Sequence, residues 1–336
     1  MKWDRARATR ERTELPSSGR WIWHLLYRFG LVGVFLLLVI VFSLIRPGSF
    51  ATLENLRVIL AQYASLSLIA LGLMLPLIAQ RFDLSAAYMA TLSGLVSVGL
   101  QSYAHWSFWA AILVALAICG CVGMVNGVLI AFGKLNSLVV TLGMGSILFG
   151  ASELYSAGTT IFSGIQPGFF QIGRANVLGV QLPVIYAGIA ALIIWYVLKY
   201  RPAGRQLYAI GGSESAARLV GVRIERLIVV SFVCSAFLAG AGGVVEAARV
   251  GSANPTDLQY LLLPAFTAAF LSATVFRPGQ YNVWGTVFAV YLVGTGETGM
   301  FILGVNSFYA QVFDGFVLLL AIGLAEVTRR TIGRLE

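Results

Sequence analysis

Residues 208–227 read YAIGGSESAARLVGVRIERL, a polar and basic stretch set between two long apolar runs, 182–199 and 227–249. A helix needs about 20 apolar residues to cross the hydrocarbon layer of a bilayer. Runs of that length on either side make the stretch a loop joining two membrane spans. The rest of the chain repeats the pattern. Of its 336 residues, 58% are hydrophobic and 11% charged, with a mean hydropathy of +0.85. Soluble domains carry about 25% charged residues. The composition excludes a soluble globular protein and predicts an all-α integral membrane protein.

Apolar segments run over 30–45, 57–79, 84–101, 107–132, 137–156, 182–199, 227–249, 259–275, 282–299 and 306–326. Ten spans put both termini on one side, and the Lys and Arg positions assign that side to the cytoplasm. With the N-terminus inside, the inner segments hold the seven basic residues before residue 30 together with Arg81, Lys134, Lys199, Arg201, Arg205, Arg218, Arg223, Arg226, Arg277, Arg329, Arg330 and Arg334. Only Arg46, Arg57, Arg174 and Arg249 fall outside. The expected organisation is a cytoplasmic basic tail over 1–29, one transmembrane domain over 30–327 with a cytoplasmic loop at 200–226, and a C-terminal tail over 328–336. The tail MKWDRARATRERTELPSSGRWIWH has three acidic residues and no cleavage-site pattern, so it is not read as a cleaved signal peptide.

The net charge of +9 comes from clusters at the ends of apolar runs, which is an orientation signal rather than a nucleic-acid surface. Cys119, Cys121 and Cys234 lie inside apolar runs and read as small buried residues; His24 and His105 stand alone at span ends. Neither set predicts a metal site. No nucleophile–base pair, H-E-x-x-H or phosphate loop is present. Around FGKLNS, Val128 stands where a Walker loop needs Gly and Leu135 where it needs Ser or Thr. The sequence therefore predicts a chain without catalysis or an ATPase site of its own.

Charges within spans must face protein or water, since each costs at least about 2.5–3.5 kcal/mol in lipid. Glu153, Glu246, Arg249, Glu297 and Asp314 are the candidates. Glu246 and Arg249 share a helix face and are expected to pair. Pro76 and Pro264 suggest kinks. Gly123 with Gly127, Ala236 with Gly240, and Ala239 with Gly243 have the small-x-x-x-small spacing of close helix packing.

Two connections are long. The outer one, 157–181, carries Gly164, Pro167, Gly168, Gly173 and Gly179 with three Phe, and reads as a lid or docking surface rather than a folded domain. The inner one contains the opening stretch. There Gly211 and Gly212 precede Ser213, an expected N-cap; SESAARLV makes about two helical turns, and Gly221 is an expected C-cap. Ala216, Ala217, Leu219 and Val220 would offer an apolar docking surface flanked by Arg218, Arg223 and Arg226. The plainer alternative is a solvated loop against anionic lipid.

GMVNGVLIAFGKLNSLVVTLGMGSI (123–147), YAIGGSESAARLVGVRIERL (208–227) and AGAGGVVEAARVGSANP (239–255) resemble the permease family of bacterial ABC importers for ribose and other simple sugars, whose relatives carry branched-chain amino acids. The resemblance spans nearly the whole chain after the tail. It implies a multi-pass protein of the bacterial inner membrane that works with a cytoplasmic ABC ATPase subunit, a periplasmic solute-binding protein and a second permease chain, as homodimer or heterodimer. ATP and Mg would belong to the ATPase. Gly211, Gly212, Ser213, Glu214, Ala216, Ala217, Arg218 and Gly221 would form the helix that couples to it, and Asn126, Thr141 and Ser146 are pathway candidates, with interhelical hydrogen bonding as the competing use.

Two stretches depart from the family. AQRFDLSAAY keeps only Asp83, Leu84 and Ser85 of the usual GGIDLSVG, and SATVFRPGQYN around Arg277 replaces GGTSLFGGRG. The lost glycines suggest pairing with a non-identical permease. The implied function is passage of a pentose or hexose. The alternatives are a branched-chain amino acid permease, or a stand-alone secondary transporter using Glu153, Glu297 and Asp314.

Overall fold

The computed structural model describes residues 17–277 and 279–332, with side chains over 31–277 and 279–323. Parts of the expected tails, 1–16 and 333–336, lie outside the described residues, as does the side chain of His24. The helices are α1 (Ser17–Ile45), α2 (Leu53–Gln62), α3 (Ala64–Ile78), α4 (Ala86–Ala104), α5 (Phe108–Ala131), α6 (Ser137–Ser156), α7 (Pro167–Arg174), α8 (Leu182–Tyr200), α9 (Pro202–Gly212), α10 (Glu214–Leu219), α11 (Ile224–Val250), α12 (Leu262–Ser272), α13 (Val283–Ile302) and α14 (Ser307–Ile332). The apolar run 30–45 is the second part of α1, which begins inside the expected N-terminal tail.

Every apolar run falls on a helix, but not every helix is a spanning one by length and composition. Among the described residues α5, α6, α8, α11 and α13 qualify, and α2 with α3, bent by 41°, makes a sixth. The apolar parts of α1, α12 and α14 are shorter. α4 is long enough but carries Thr91, Ser93, Ser97 and Gln101, all buried. The physical reason is placement: α4 and α12 are surrounded by protein, so they need not match lipid in length or polarity.

The centre is α3, buried at every position, packed against α11, which also lies along α4 and α5. The small residues permit this. A Cβ at Gly123 would come 2.6 Å from both the Ala236 Cβ and the Phe232 carbonyl, and one at Gly243 would collide with the Ala90 carbonyl of α4. These glycines are packing residues of the chain's own bundle.

The bend falls at neither proline. Pro76 lies in the last turn of α3, and Pro264 in the first turn of α12, where its missing N–H has no helical partner to lose. The break is at Tyr63, whose hydroxyl donates to Glu297 Oε2 of α13 at 2.8 Å. Cys119 is buried as expected, but Cys121 is exposed; two residues apart on α5, they face opposite sides.

The connection 157–181 is more ordered than its composition suggests. Pro167 opens α7, and Asn176–Val177 (β1) pairs antiparallel with Val180–Gln181 (β2). Between these strands Leu178 (φ 53°) and Gly179 (φ 82°) both adopt left-handed backbone, the requirement of a two-residue hairpin turn. Gly173 sits where any side chain would collide with the α11 backbone at Arg249. Arg174 donates to the Arg249 and Val250 carbonyls at 2.7 Å each, closing the end of α11.

Contacts sort the loops into two ends of the bundle. At one, Arg81 pairs with Glu214 at 2.7 Å, Tyr208 Oη donates to the Tyr281 carbonyl at 2.6 Å, and Phe82 N donates to Ser137 Oγ at 3.1 Å. At the other, residue 161 bridges 253, Gln166 Nε2 donates to the Trp106 carbonyl, and Arg57 lies beside Gly179. The first end holds Arg81, Lys134, Lys199, Arg218 and Arg277; the second holds Arg57, Arg174 and Arg249. The charge asymmetry of the sequence is an asymmetry between the ends of the bundle. Cysteines placed at Leu178, fully exposed, and at Leu219, 89% exposed, are expected to react with a membrane-impermeant maleimide from opposite sides of a sealed vesicle. Labelling of both from one side would refute this arrangement.

Candidate functional site

α10 is short, six residues, and is defined by its caps rather than by its length. Ser213 adopts extended backbone and its Oγ accepts from Ala216 N at 3.3 Å. At the other end Gly221 takes φ 78°, with Val222 N donating to the Ala217 carbonyl and Gly221 N to the Arg218 carbonyl, both at 3.1 Å. Those two bonds form a Schellman stop. Gly211, in the last turn of α9, abuts the Ile78 carbonyl so closely that any side chain would collide with it, whereas a Cβ at Gly212 would meet open space.

One expectation for this helix needs correction. Ala216, Leu219 and Val220 are exposed, the last two at 89% and 78%, but Ala217 is only 3% exposed and belongs to the core. A single short helix lying on the bundle must turn one residue inward, and Ala217 is that residue. The free apolar surface is therefore Leu219 and Val220, with Ala216 beside them.

Ion pairs fasten α10 on both sides. Glu214 pairs with Arg81 at 2.7 Å and with Arg218 at 3.6 Å; Arg218 pairs with Glu225, in the first turn of α11, at 2.8 Å. These side chains are 30–56% exposed, so solvent screens each pair. Their effect is positional: the chain Arg81–Glu214–Arg218–Glu225 ties α10 to the α3–α4 loop and to α11.

Two residues beyond Arg81 lies a buried carboxylate. Asp83 is fully buried; its Oδ1 accepts from Ser85 Oγ at 2.6 Å and Ser85 N at 3.2 Å, and its Oδ2 accepts from Ser235 Oγ of α11 at 2.8 Å. Ser85 Oγ in turn accepts from Asn126 Nδ2 of α5 at 2.9 Å. Thr141 of α6 accepts from Leu84 N at 3.0 Å. Of the pathway candidates, Asn126 and Thr141 are thus buried and bonded to this loop, while Ser146 is exposed and donates to the Leu142 carbonyl of its own helix. The retained Asp83-Leu84-Ser85 was the only sign of this node in the sequence. Nothing marked Ser235, 152 residues away, as its partner.

At the opposite end a cavity of about 330 Å³ is lined by Thr91, Thr160, Glu246, Arg249, Asn254, Asp257 and Tyr260. Glu246 and Arg249 form the expected pair, through Arg249 Nη2 at 2.5 Å and Nε at 3.1 Å, and Ser65 Oγ donates to the same carboxylate. Deeper in the bundle, Glu297 accepts from Tyr63 Oη at 2.8 Å, and Asp314 is buried with no hydrogen-bond partner for its Oδ1 among the described residues. No hydrogen bond or ion pair joins Glu153 to either of them among the described residues. Nor do the described residues contain three His, Cys, Asp or Glu placed to share a metal ion.

The Asp83 node is expected to carry stability. Ser235→Ala leaves a buried oxygen of Asp83 without its donor, at a cost of about 1–3 kcal/mol, and Asp83→Ala leaves both Ser85 and Ser235 without their acceptor and costs more. Both should lower the melting temperature in detergent, in that order. An unchanged melting temperature for Asp83→Ala would overturn the assignment.

A family model described as branched-chain amino acid transport system / permease component matches residues 55–322. The chain is 33% identical to the ribose import permease protein of Escherichia coli (strain K12) over 295 residues, 85% of this chain and 90% of that protein. It is 33% identical over 297 residues to the ribose import permease protein of Bacillus subtilis (strain 168), 87% of this chain and 90% of the relative. The L-arabinose ABC transporter permease protein of Azospirillum brasilense is 31% identical over 301 residues, covering 90% and 88%. No solved structure matches. The match runs from α2 into α14 and takes in both the Asp83 node and α10: the chain belongs to the family of ABC-importer permease components, and it is a multi-pass transport subunit, not an enzyme.

Proposed function

We propose that this chain is the permease of a bacterial inner-membrane importer that passes a small sugar, of pentose or hexose class, received from a periplasmic binding protein. The chain crosses the membrane ten times with both termini in the cytoplasm. A second permease chain, identical or not, completes the pathway, and ATP with Mg is held by a separate cytoplasmic ATPase. The ribose and L-arabinose relatives favour a sugar over a branched-chain amino acid.

The observation that carries the mechanism is the pairing of a free apolar knob, Leu219 and Val220, with a helix held at both caps and tied by ion pairs to two other elements. A groove on the ATPase that closes on this knob moves α10 as one piece, together with Gly211, Gly212, Ser213, Glu214, Ala216, Ala217, Arg218 and Gly221. Arg81 and Glu225 pass the displacement to the Asp83 loop and to α11. Ligand and nucleotide then bias the populations of two arrangements. Asn126 and Thr141 position the loop. The acid, guanidinium, amide and phenol groups of the 330 Å³ cavity are suited to a hydroxyl-rich solute arriving at the periplasmic end.

Reconstitution with the cognate ATPase and binding protein tests this reading. Uptake of a radiolabelled pentose or hexose is expected to require ATP, to outpace leucine uptake and to persist with a protonophore. Uptake that ignores ATP and collapses with the proton gradient would establish a secondary transporter instead. Leu219→Asp/Val220→Asp is expected to leave the melting temperature unchanged and to weaken ATPase association at least about tenfold, since burying two unpaired carboxylates in an apolar groove costs more than 1.4 kcal/mol. Ala217→Trp, by contrast, should destabilise the permease itself by about 1–3 kcal/mol through overpacking. Normal coupling in the Asp pair would remove α10 as the contact.

A further inference from the structure

At the basic end of the bundle a second cavity, of about 640 Å³, opens between the last turn of α8, the first turns of α13 and the 273–282 connection. Its rim carries Lys199 and Arg277, and its walls are aromatic and aliphatic: Trp195, Trp284, Phe276 and Phe288 with Leu198 and Val287. The rings pack on one another, Trp195 against Trp284 at 6.3 Å and Phe276 against Phe288 at 6.0 Å between centroids. Phe276 holds a left-handed backbone, φ 59°, which is costly for a bulky side chain. Such a conformation persists only where surrounding structure fixes it.

The polar groups of the lining divide sharply. Tyr208 donates to the Tyr281 carbonyl, and the Asn282 amide is fully engaged with Ser272, Val275, Gln280 and Gly285. Neither offers a free group to a guest. The two cations differ: among the described residues the ion pairs involve Arg81, Arg218 and Arg249, and no carboxylate pairs with Lys199 or Arg277. Lys199 Nζ stands over the Trp195 and Tyr200 rings at about 5 Å, which orients it without neutralising it.

Position supplies the second constraint. Lys199 lies in the last turn of α8 and Arg277 in the connection between α12 and α13, whereas Val287 and Phe288 are one turn into α13 toward the bundle centre. The cavity therefore grades from charged at the membrane surface to apolar below it, with two Trp at the level where indoles favour the interface. A guest that matches is anionic at one end and aliphatic at the other.

We propose that this cavity is a binding site for an anionic glycerophospholipid of the adjacent leaflet, its phosphate between Lys199 and Arg277 and its first methylenes against Val287 and Phe288. A basic pocket between helices at a membrane surface is suited to such a headgroup. The inference rests on the chain spanning a bilayer and not on what the importer carries. It also gives a use to the SATVFRPGQYN segment: that stretch places an arginine and an aromatic residue where the sequence departs from a glycine-rich family pattern.

Native mass spectrometry and thermal melting of the purified full-length permease, with added phosphatidylglycerol, phosphatidylcholine or inorganic phosphate, test the proposal. Phosphatidylglycerol is expected to be retained in preference to phosphatidylcholine and to raise the melting temperature, while phosphate does neither and does not displace it. Lys199→Ala/Arg277→Ala is expected to bind phosphatidylglycerol about thirtyfold more weakly, from roughly 1 kcal/mol per surface cation, and to lose the thermal shift. Its melting temperature in phosphatidylcholine should equal that of the native chain, and Lys199→Arg/Arg277→Lys should bind normally. Equal retention of both lipids, displacement by phosphate, or native binding by the double alanine variant would each overturn the site. So would a double variant that keeps its lipid but loses the ATPase, which would make these cations a protein contact.

Discussion

The arrangement of this permease hangs on one buried carboxyl group, that of Asp83. A polar group removed from water needs hydrogen-bond partners, and Asp83 finds them in Ser85 Oγ, Ser85 N and Ser235 Oγ of α11, with α5 attached through Ser85. No lysine or arginine serves it. Removing any one partner leaves a buried polar atom unsatisfied, so the loop, α5 and α11 are held to a common geometry more strictly than apolar packing alone would hold them. The surrounding small residues let the helices approach; the carboxylate decides how they are registered.

Arg81 shows why that register matters. It lies two residues before Asp83 and at the water-facing edge of the same loop, where it meets Glu214. The chain thus joins a soft, solvent-screened ion pair to a stiff, buried network across a few residues. Soft pairs exchange partners readily, whereas buried networks move as units. A displacement applied to α10 would thus reach whole helices rather than dissipate in side-chain motion.

Local features of the sequence were the legible ones. Caps at Ser213 and Gly221, the Glu246–Arg249 pair and the helical character of each apolar run all depend on near neighbours or on composition, and the structure contains them. What depended on distant residues was not legible. Ala217 looked like its exposed neighbour Ala216, because a six-residue helix gives no periodicity from which to tell an inner face. The break between α2 and α3 falls at Tyr63 and not at Pro76, and the partner of Tyr63, Glu297, lies 234 residues away. α4 and α12 fall short of lipid criteria because their solvent is other protein, a fact that no hydropathy window contains.

α11 is one uninterrupted helix of 27 residues, about 40 Å long. Glu225 in its first turn belongs to the α10 network, and its last carbonyls are closed by Arg174 beside the polar cavity. A rod secured at both extremities imposes thermodynamic reciprocity on what binds there. Whatever factor a partner at one extremity applies to affinity at the other, the distant ligand must apply in return. In such a molecule neither face is sender or receiver by construction; a direction between them requires a free-energy input that equilibrium binding at the two ends does not supply.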